Sequence, residues 1–380
     1  MASSNNSNII SVAYPHTVKK IELVAKYIET WAQKLMNNAL CSGIVFIDCM
    51  CNCGMYTSSE TGNLIEGTPL KVARILLDVA HMYPQKQVEL YFNDKDEHKI
   101  QFLREHLPND EANYKVITTA QDAHGLLETI GPQLYHQKNK HFFLFYDPYD
   151  ATITWDVLFP FFRSWGEVML NHMVSDTVRA ISQVKKESTK EKYEGTYLTE
   201  FEKLLPFDTD KKAYEARIEE IITKMKGSRQ YFVGAFPFYN RTNSQLYSLV
   251  HCTSNIEGFK LYKKVAWQTF DGKSSLAISH RDPLQLTFDL GEDISETSDD
   301  KKCFYITDIA KYLHRAFSGR SNVPIDNLWE LLEYHPIFPS EGFRNEIKKE
   351  LKDLYGTKFT KITCPETGRL ITVASFSMEN

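Results

Sequence analysis

The chain has 380 residues, of which 42% are hydrophobic and 24% are charged, and its formal net charge is -5 at pH 7. This composition is ordinary for a globular protein, and the length suggests about two domains. The weakly acidic balance argues against broad, nonspecific coating of nucleic acid, and no apolar run approaches the roughly 20 residues that a membrane span requires. The polar N-terminus carries no visible export signal, so a cytoplasmic location is expected.

The first strong feature is a buried strand that runs into a tight loop. Residues 44–47 are apolar and mostly β-branched, and Asp48 closes this run with a charge. The loop ends at Gly54, which can adopt a positive φ or let a ligand approach the backbone. An amphipathic helix then begins near Pro69, since proline is tolerated in the first turn of a helix. A strand, an acidic residue, a tight loop and a helix in this order form the first part of the nucleotide-binding site in open α/β sheets.

Four further strands are predicted, over residues 88–93, 114–118, 141–146 and 168–172. Asp94 follows the second strand, where nucleotide-binding α/β folds hold ribose hydroxyls. Asp122 follows the third strand, where a carboxylate can receive an adenine amino group, and Asp147 follows the fourth. The regular alternation of strands and helices predicts a parallel, doubly wound sheet.

The pattern changes after residue 230. Two strands are predicted over residues 231–238 and 245–251, and the turn-forming residues 239–243 between them indicate a hairpin. Five parallel strands followed by an antiparallel hairpin is the order of the class I methyltransferase fold, a Rossmann-like α/β sheet. A dehydrogenase would continue with a second parallel half, and the loop after the first strand lacks the G-x-G-x-x-G sequence of a dinucleotide site.

Five short motifs, taken in order, resemble those of the three-Cys-motif partner family (TcmP), a group of methyltransferase-like proteins. They are a helix over 16–31, a loop over 48–54 similar to D-x-F-A-G-x-G, an acidic glycine segment before proline at 66–69, N-D-K-D at 93–96, and D-P-aromatic at 147–149. The resemblance covers about residues 14–375. Met50 and Asn52 stand where the family usually has phenylalanine and glycine, and asparagine tolerates the left-handed region better than most residues.

The resemblance implies S-adenosylmethionine as the cofactor and a three-Cys-motif protein as the partner. The resemblance implies that the methionine part of the cofactor lies over the loop residues Asp48, Met50, Asn52 and Gly54. It implies that Asp94, or alternatively Asp96, binds the ribose hydroxyls and that Asp122 faces the adenine. The three cysteines of the family name belong to the partner, not to this chain.

The sequence Asp147-Pro148-Tyr149 is expected on the substrate side as the catalytic motif. It is similar to the D-P-P-Y/F motif of enzymes that methylate exocyclic amino groups of bases, in which the acid accepts a hydrogen bond from the amino group and the aromatic ring stacks on the base. The second proline is missing here. The alternative is structural: Asp147 would cap the following helix and the next two residues would shape a turn.

Cysteines and histidines give weaker indications. Cys49, Cys51 and Cys53 form the pattern C-x-C-x-C, which indicates either a metal or redox site or small residues that line a tight loop. The second interpretation is preferred, because structural zinc usually needs four ligands at a different spacing. No metal site is therefore predicted. His172 and His251 are expected near the functional edge of the sheet, more often as buried structural histidines than as ligands.

A charged, helical insertion is predicted at about residues 174–229, either as a surface cap or as a lid beside the substrate. After an acidic linker over 291–300, three helices and a strand pair follow in the order of a winged helix. Seven basic residues lie on the third helix and the strand pair, which contact DNA in DNA-binding winged helices: Arg344, Lys348, Lys349, Lys352, Lys358, Lys361 and Arg369. Acidic residues share that helix, so nucleic acid and protein both remain open as partners.

The predicted organisation is a disordered segment over 1–13, a methyltransferase-like domain over 14–290 and a winged-helix-like domain over 301–380. Three functions follow. The first is a methyltransferase that acts on a nucleic acid or a nucleotide. The second is a catalytically degenerate binding or regulatory partner, favoured by Asn52 in place of glycine. The third is a nuclease or nucleotide hydrolase that holds Mg²⁺ with the strand-end acids.

Overall fold

The structure is a computed structural model that describes residues 9–137, 139–148, 151–163, 165–181, 183–204, 211–226, 230–240, 242, 244–277, 302–364 and 368–378. The chain forms two compact units. The first comprises Met1–Ala235 and Gln245–Tyr262, and the second comprises Phe236–Ser244 and Lys263–Asn380. The longer segment of the second unit thus begins at residue 263, inside a helix, whereas the predicted acidic linker lies outside the described residues.

The elements of the first unit are, in chain order, β1 (Ser11–Ala13), α1 (Pro15–Met36), β2 (Gly43–Asp48), β3 (Met55–Ser58), β4 (Leu64–Glu66), α2 (Thr68–Met82), β5 (Gln87–Asn93), α3 (Glu97–Arg104), β6 (Tyr114–Thr119), α4 (Ala123–His136), β7 (Lys140–Tyr146), α5 (Trp155–Arg163), β8 (Gly166–His172), α6 (Val174–Ile181), α7 (Glu187–Tyr197), α8 (Phe201–Leu204), α9 (Lys211–Lys226) and β10 (Gln245–Thr253). Strand β9 (Phe232–Tyr239) and helix α10 (Ile256–Thr269) run from the first unit into the second. The second unit continues with α11 (Ile306–Ala316), β11 (Val323–Pro324), α12 (Ile325–Glu333), α13 (Arg344–Tyr355), β12 (Lys358–Thr363) and β13 (Leu370–Ser375).

A seven-stranded sheet has the order β6-β5-β2-β7-β8-β10-β9. The pairs from β6 to β8 are parallel, and β10 is antiparallel to β8. Counted along the chain from one to seven, the strands follow the order 3-2-1-4-5-7-6, so the predicted class I methyltransferase-like sheet is confirmed. All six residues of central strand β2 are buried, as expected for a strand covered by helices on both faces.

A small sheet in the order β1-β3-β4 was not predicted. Strands β3 and β4 have four and three residues, and none of their side chains is fully buried, so they lack an apolar signal. Residues 11–13, within the segment expected to be disordered, form β1 instead. They pair in parallel with β3, and the Ser59 backbone N–H donates to the Ala13 carbonyl at 2.9 Å.

Side chains of β7 alternate between two halves of the core. Phe143 packs against Tyr27 and Trp31 of α1, with ring centroids 5.6 Å apart in both pairs. Phe142 faces the other way and packs on Phe161 of α5 at 5.4 Å. This alternation continues past the end of the strand, so Asp147 lies on the α1 side of the sheet.

The insertion is helical, as predicted, and consists of α6 to α9. Tyr193, Tyr197 and Tyr214 are buried in the same core as Tyr146, which shows that the insertion packs on the sheet through one face. The indole N–H of Trp155 donates to the Thr196 carbonyl at 2.7 Å. The alternating charges of α7 therefore occupy only its outer face.

In the second unit, helix α12 packs on a three-stranded sheet in the order β11-β13-β12, with antiparallel pairs, and α11 packs on α13. Leu313, Leu328 and Leu351 are fully buried. Lys263 is also fully buried, and its ammonium group donates to the carbonyls of Leu332, Glu333 and His335, at 2.8, 2.8 and 2.7 Å, at the end of α12. Among the described residues, no helix is long and apolar enough to cross a membrane.

Candidate functional site

The parallel strands of the large sheet end along one side, which we call the carboxyl edge. In the register of the sheet, Asp48 at the end of β2 lies opposite Phe92 of β5 and Phe145 of β7. The residues that follow these strands therefore meet at this edge, where open α/β sheets bind their ligands.

The Asn93 side chain ties three strand ends together. Its Nδ2 donates to the carbonyls of Cys49 and Gln121, both at 3.0 Å, and its Oδ1 accepts from the hydroxyl of Thr119 at 2.7 Å. Asn93 is fully buried, which strengthens its hydrogen bonds. They fix the loops after β2, β5 and β6 relative to one another.

Asp94 holds the loop after β2. It is only 1% exposed, its Oδ2 accepts from the Asn52 backbone N–H at 3.1 Å, and its Oδ1 accepts from the Asp96 N–H at 3.0 Å. Asn52 has a φ of 58°, the left-handed conformation that asparagine tolerates. Gly54 has a φ of 80°, and a Cβ there would lie 2.6 Å from Leu103, so packing as well as backbone conformation requires glycine.

A cavity of about 450 Å³ opens at the carboxyl edge, and we call it the carboxyl-edge cavity. Its walls come from the loop after β2, the start of α4, the segment after β7 and helix α7: Cys49, Met50, Asn93, Lys95, Asp122, Ala123, His124, Tyr146, Pro148, Thr152, Ile153, Thr154, Trp155, Asp156, Lys192, Gly195 and Leu198. Three predicted site residues line it, namely Met50, Asp122 and Pro148.

The other predicted site residues do not line this cavity: Asp48, Asn52, Gly54, Asp94, Asp96 and Asp147. Tyr149 lies outside the described residues. Asp96 and Asp122 share a structural role, because each caps a helix by accepting a backbone N–H, from His98 at 2.9 Å and from His124 at 3.0 Å.

Asp147 lies in a polar cluster on the α1 side of the carboxyl edge. Its Oδ2 accepts from the Lys20 ammonium group at 2.5 Å, and its Oδ1 accepts from Asn171 Nδ2 at 2.6 Å. The same ammonium group lies 5.2 Å from the centroid of the Tyr247 ring. Asp147 therefore binds side chains from α1 and β8, and we call Lys20, Asp147, Asn171 and Tyr247 the Asp147 cluster.

Burial changes the protonation of the groups around this cluster. Desolvation, together with the nearby carboxylate of Asp147, raises the pKa of Asp48 well above its ordinary value. Burial and then Asp147 also raise the pKa of the Tyr56 hydroxyl. The Tyr56 hydroxyl therefore stays protonated, and burial favours the protonated form of Asp48.

The cysteines fit the structural interpretation. Burial raises the pKa of the Cys49 and Cys51 thiols well above the ordinary value, which opposes the thiolate form that metal binding and redox chemistry need. Within the described ranges, no group of three or more His, Cys, Asp or Glu side chains is placed to hold a metal ion. The Mg²⁺-dependent alternative thus has no geometric support there.

Only the first of the two histidines lies at the carboxyl edge of the sheet. His172 ends β8 at the carboxyl edge, its Nε2 is 2.8 Å from the Tyr197 hydroxyl, and burial lowers its pKa to about 3. His251 was expected at the same edge, but β10 runs antiparallel to β8 and places it opposite Met169, in the middle of β8. Its Nε2 binds Glu167 at 2.7 Å.

Sequence reasoning missed Lys20, Asn171 and Tyr247 as members of a site. Lys20 lies 127 positions before Asp147, in a helix whose repeat of apolar residues indicates only packing. Asn171 gave a usable signal, because it is a polar residue at the end of a predicted apolar strand.

No protein-family model matches the chain, and no curated protein matches it by sequence. Similar solved structures include human methyltransferase-like protein 13 in complex with SAH, at 7% identity and a TM-score of 0.30, covering 71% of this chain and 97% of that one. They also include loganic acid methyltransferase with SAH, at 10% identity and a TM-score of 0.28, covering 66% of this chain and 82% of that one. At these scores the matches say nothing about the chemistry of this chain. Its own strand order defines a methyltransferase-like α/β protein, and the assignment to the three-Cys-motif partner family stays a prediction.

Proposed function

We propose that the first unit binds S-adenosylmethionine in the carboxyl-edge cavity and transfers a methyl group to a nucleotide or nucleic-acid base held near Asp147. The position of the cavity is the observation that carries this proposal. It opens where β2, β5 and β7 end, in a sheet with the class I methyltransferase order. Ligands of open α/β sheets bind at this place.

The lining of the cavity suits a cofactor with an aromatic base, sugar hydroxyls and charges of both signs. Met50, Ile153 and Trp155 supply apolar surface, while Lys95 and Asp122 supply opposite charges. The volume of about 450 Å³ lies in the usual range of small-molecule sites. The residues present therefore fit the cofactor that the sequence predicts.

When bound, S-adenosylmethionine supplies an electrophilic methyl group, so the main task of the chain is to hold the acceptor in line with it. We assign Met50 and the loop shaped by Asn52 to the methionine part, and Asp122 to the adenine. The ribose contact stays with Asp94 or Asp96. Asp94 has the added task of holding the loop through the Asn52 N–H.

The acceptor site is proposed around Asp147 and Pro148, with Tyr149 as the stacking residue. An exocyclic amino group that donates to Asp147 would have to displace Lys20 or Asn171, because both already bind its carboxylate. This pairing also favours a second candidate function, a catalytically degenerate binding partner. Cofactor binding without turnover would distinguish it, and pairing with a three-Cys-motif protein stays a prediction in either case.

Cofactor binding can be tested by filling the cavity from helix α7. A Cβ added at Gly195 would meet no atom within 4 Å, so Gly195→Phe should keep the fold while its ring enters the carboxyl-edge cavity. Glu191→Phe on the same helix, at an exposed position outside the lining, is the matched control.

Calorimetry with S-adenosylmethionine should show binding by the wild type and by Glu191→Phe, and a loss of affinity of about 100-fold or more in Gly195→Phe. No binding by the folded wild-type protein, or equal binding by both variants, would reject the proposed site. Asp94→Ala is a poorer test, since it also removes the acceptor of two loop N–H groups.

We further propose that the C-terminal part of the second unit is a winged-helix-like module, because helix, strand, helix, helix, strand and strand follow one another from α11 to β13. Arg344 and Lys348 lie over the Trp329 ring, 5.2 and 5.9 Å from its centroid. A nucleic-acid contact would therefore rely on the other exposed basic residues, among them Lys349, Lys358, Lys361 and Arg369. Fluorescence anisotropy with a DNA duplex should show weaker binding by Lys361→Glu, and equal binding would contradict the contact.

A further inference from the structure

A second cavity, of about 670 Å³, lies at the opposite side of the large sheet, where β7 and β8 begin. We call it the amino-edge cavity. His141 and Gly166 line it from the starts of these strands, and Thr253 lines it from the end of the antiparallel strand β10. The sites proposed above lie at the carboxyl edge, so this cavity has no part in them.

Aromatic side chains from five different elements or segments line the amino-edge cavity: Trp31, Tyr135, Phe162, Trp165 and Tyr231. Trp165 is 49% exposed and Tyr135 is 44% exposed, although both are large apolar residues. Aromatic faces attract cations, and rings that converge on one space form the usual binding site of organic ammonium ions. Burial lowers the pKa of His141 despite the nearby Glu167, which favours the neutral imidazole over a competing cation.

Glu167 supplies a carboxylate to the same cavity. Its side chain is 10% exposed, and its Oε2 accepts from the Tyr27 hydroxyl and from His251 Nε2–H. In the described part of the chain, neither a lysine nor an arginine pairs with it, and no hydrogen bond reaches Oε1. Oε1 thus has unused acceptor capacity, and one side of it lies against the backbone of Gly258.

The hydroxyl of Tyr231 is a second polar group that could bind a ligand in this cavity. It is buried, and no hydrogen-bond partner is found for it among the described residues. A buried hydroxyl without a partner is costly, and Tyr231 is part of the lining of the cavity. A ligand with a polar group would relieve this cost.

We propose that the amino-edge cavity binds a small organic ammonium ion. Its cationic group lies among the aromatic rings and donates an N–H to Oε1 of Glu167. The converging rings select for a cation with apolar surface, and the carboxylate selects for charge over a neutral ligand of the same shape. The site is independent of the methyltransferase assignment, since it uses neither the cofactor nor the carboxyl edge.

Calorimetry with benzylammonium chloride tests this site, and benzyl alcohol is the neutral probe of similar shape. We expect the wild type to bind benzylammonium at least about 10-fold more tightly than benzyl alcohol. Glu167→Gln should remove this preference. Glu89→Gln changes a strand acid outside the cavity that pairs with Lys140, and it should bind as the wild type does. Equal affinity for the two probes, or no binding of benzylammonium, would overturn the proposal.

Trp165→Ala provides a test that does not depend on the buried bonds of Glu167. Because the indole is half exposed, its removal should leave the melting temperature nearly unchanged and weaken benzylammonium binding by about 5-fold or more. Met82→Ala, which removes another half-exposed apolar side chain outside the cavity, is the control. Unchanged binding by Trp165→Ala would also overturn the proposal.

Discussion

The two edges of the large sheet each hold a carboxylate bound by two donors, but they do so in different ways. At the amino edge, Glu167 belongs to a strand and binds Tyr27 and His251, both of which are fully buried. At the carboxyl edge, Asp147 follows a strand and binds Lys20, and the two side chains are 22% and 13% exposed. The first arrangement is fixed by the core, whereas the second can rearrange towards water or a ligand.

The largest effect is expected from Glu167→Ala. This change leaves His251 Nε2–H without its acceptor and leaves the Tyr27 hydroxyl only the Gly258 carbonyl, at 3.3 Å. It should lower the free energy of unfolding by about 3 kcal/mol. Glu89→Ala removes an acid that pairs with Lys140, and the two side chains are 23% and 24% exposed. This change should lower the free energy of unfolding by less than about 1 kcal/mol. Urea unfolding measures both, and similar losses would contradict the contrast between buried and accessible acids.

Asp147→Ala should have a smaller effect on stability. The Lys20 ammonium group can turn towards water once its partner is gone, so we expect a loss of about 1 kcal/mol in the free energy of unfolding. Under the proposed function, the same variant should lose methyl transfer while it keeps most of its affinity for S-adenosylmethionine. A loss as large as that of Glu167→Ala, or undiminished transfer, would show that this cluster has been misinterpreted.

Asp48→Asn should change how stability depends on pH. Burial and Asp147 raise the native pKa of Asp48, so the native state holds this proton more tightly than the unfolded chain does. The resulting stabilisation is complete below the ordinary pKa of about 4 and is lost as the pH rises towards the native pKa. The variant has no proton to lose, and its free energy of unfolding should fall less as the pH rises from about 4 to 8.

Urea unfolding at several pH values measures this slope. Asp78→Asn changes an exposed acid on α2 and should keep the wild-type slope. Equal slopes for Asp48→Asn and the wild type would mean that the buried carboxyl does not take up a proton on folding.

The parallel strands could be predicted from the sequence because their apolar runs are separated by helices and end in polar residues. The sequence also located Asp94, Asp122 and Asp147, since each directly follows a strand or opens a helix. It could not locate the pair of Lys20 with Asp147, which joins residues 127 positions apart through the packing of α1 on the sheet. Glu167 was missed for a related reason: its partners come from α1 and β10, although a charge inside an apolar strand was a signal in itself.

Photolabelling with radioactive S-adenosylmethionine, followed by mapping of the labelled peptides, tests most directly which edge holds the cofactor. The proposed function predicts label in peptides that contain Met50, Asp122 or Trp155, which line the carboxyl-edge cavity. It also predicts that an excess of unlabelled cofactor removes this label, and that Gly195→Phe prevents it. Label confined to peptides that contain Trp165 or Tyr231, or no displaceable label on folded protein, would contradict the assignment.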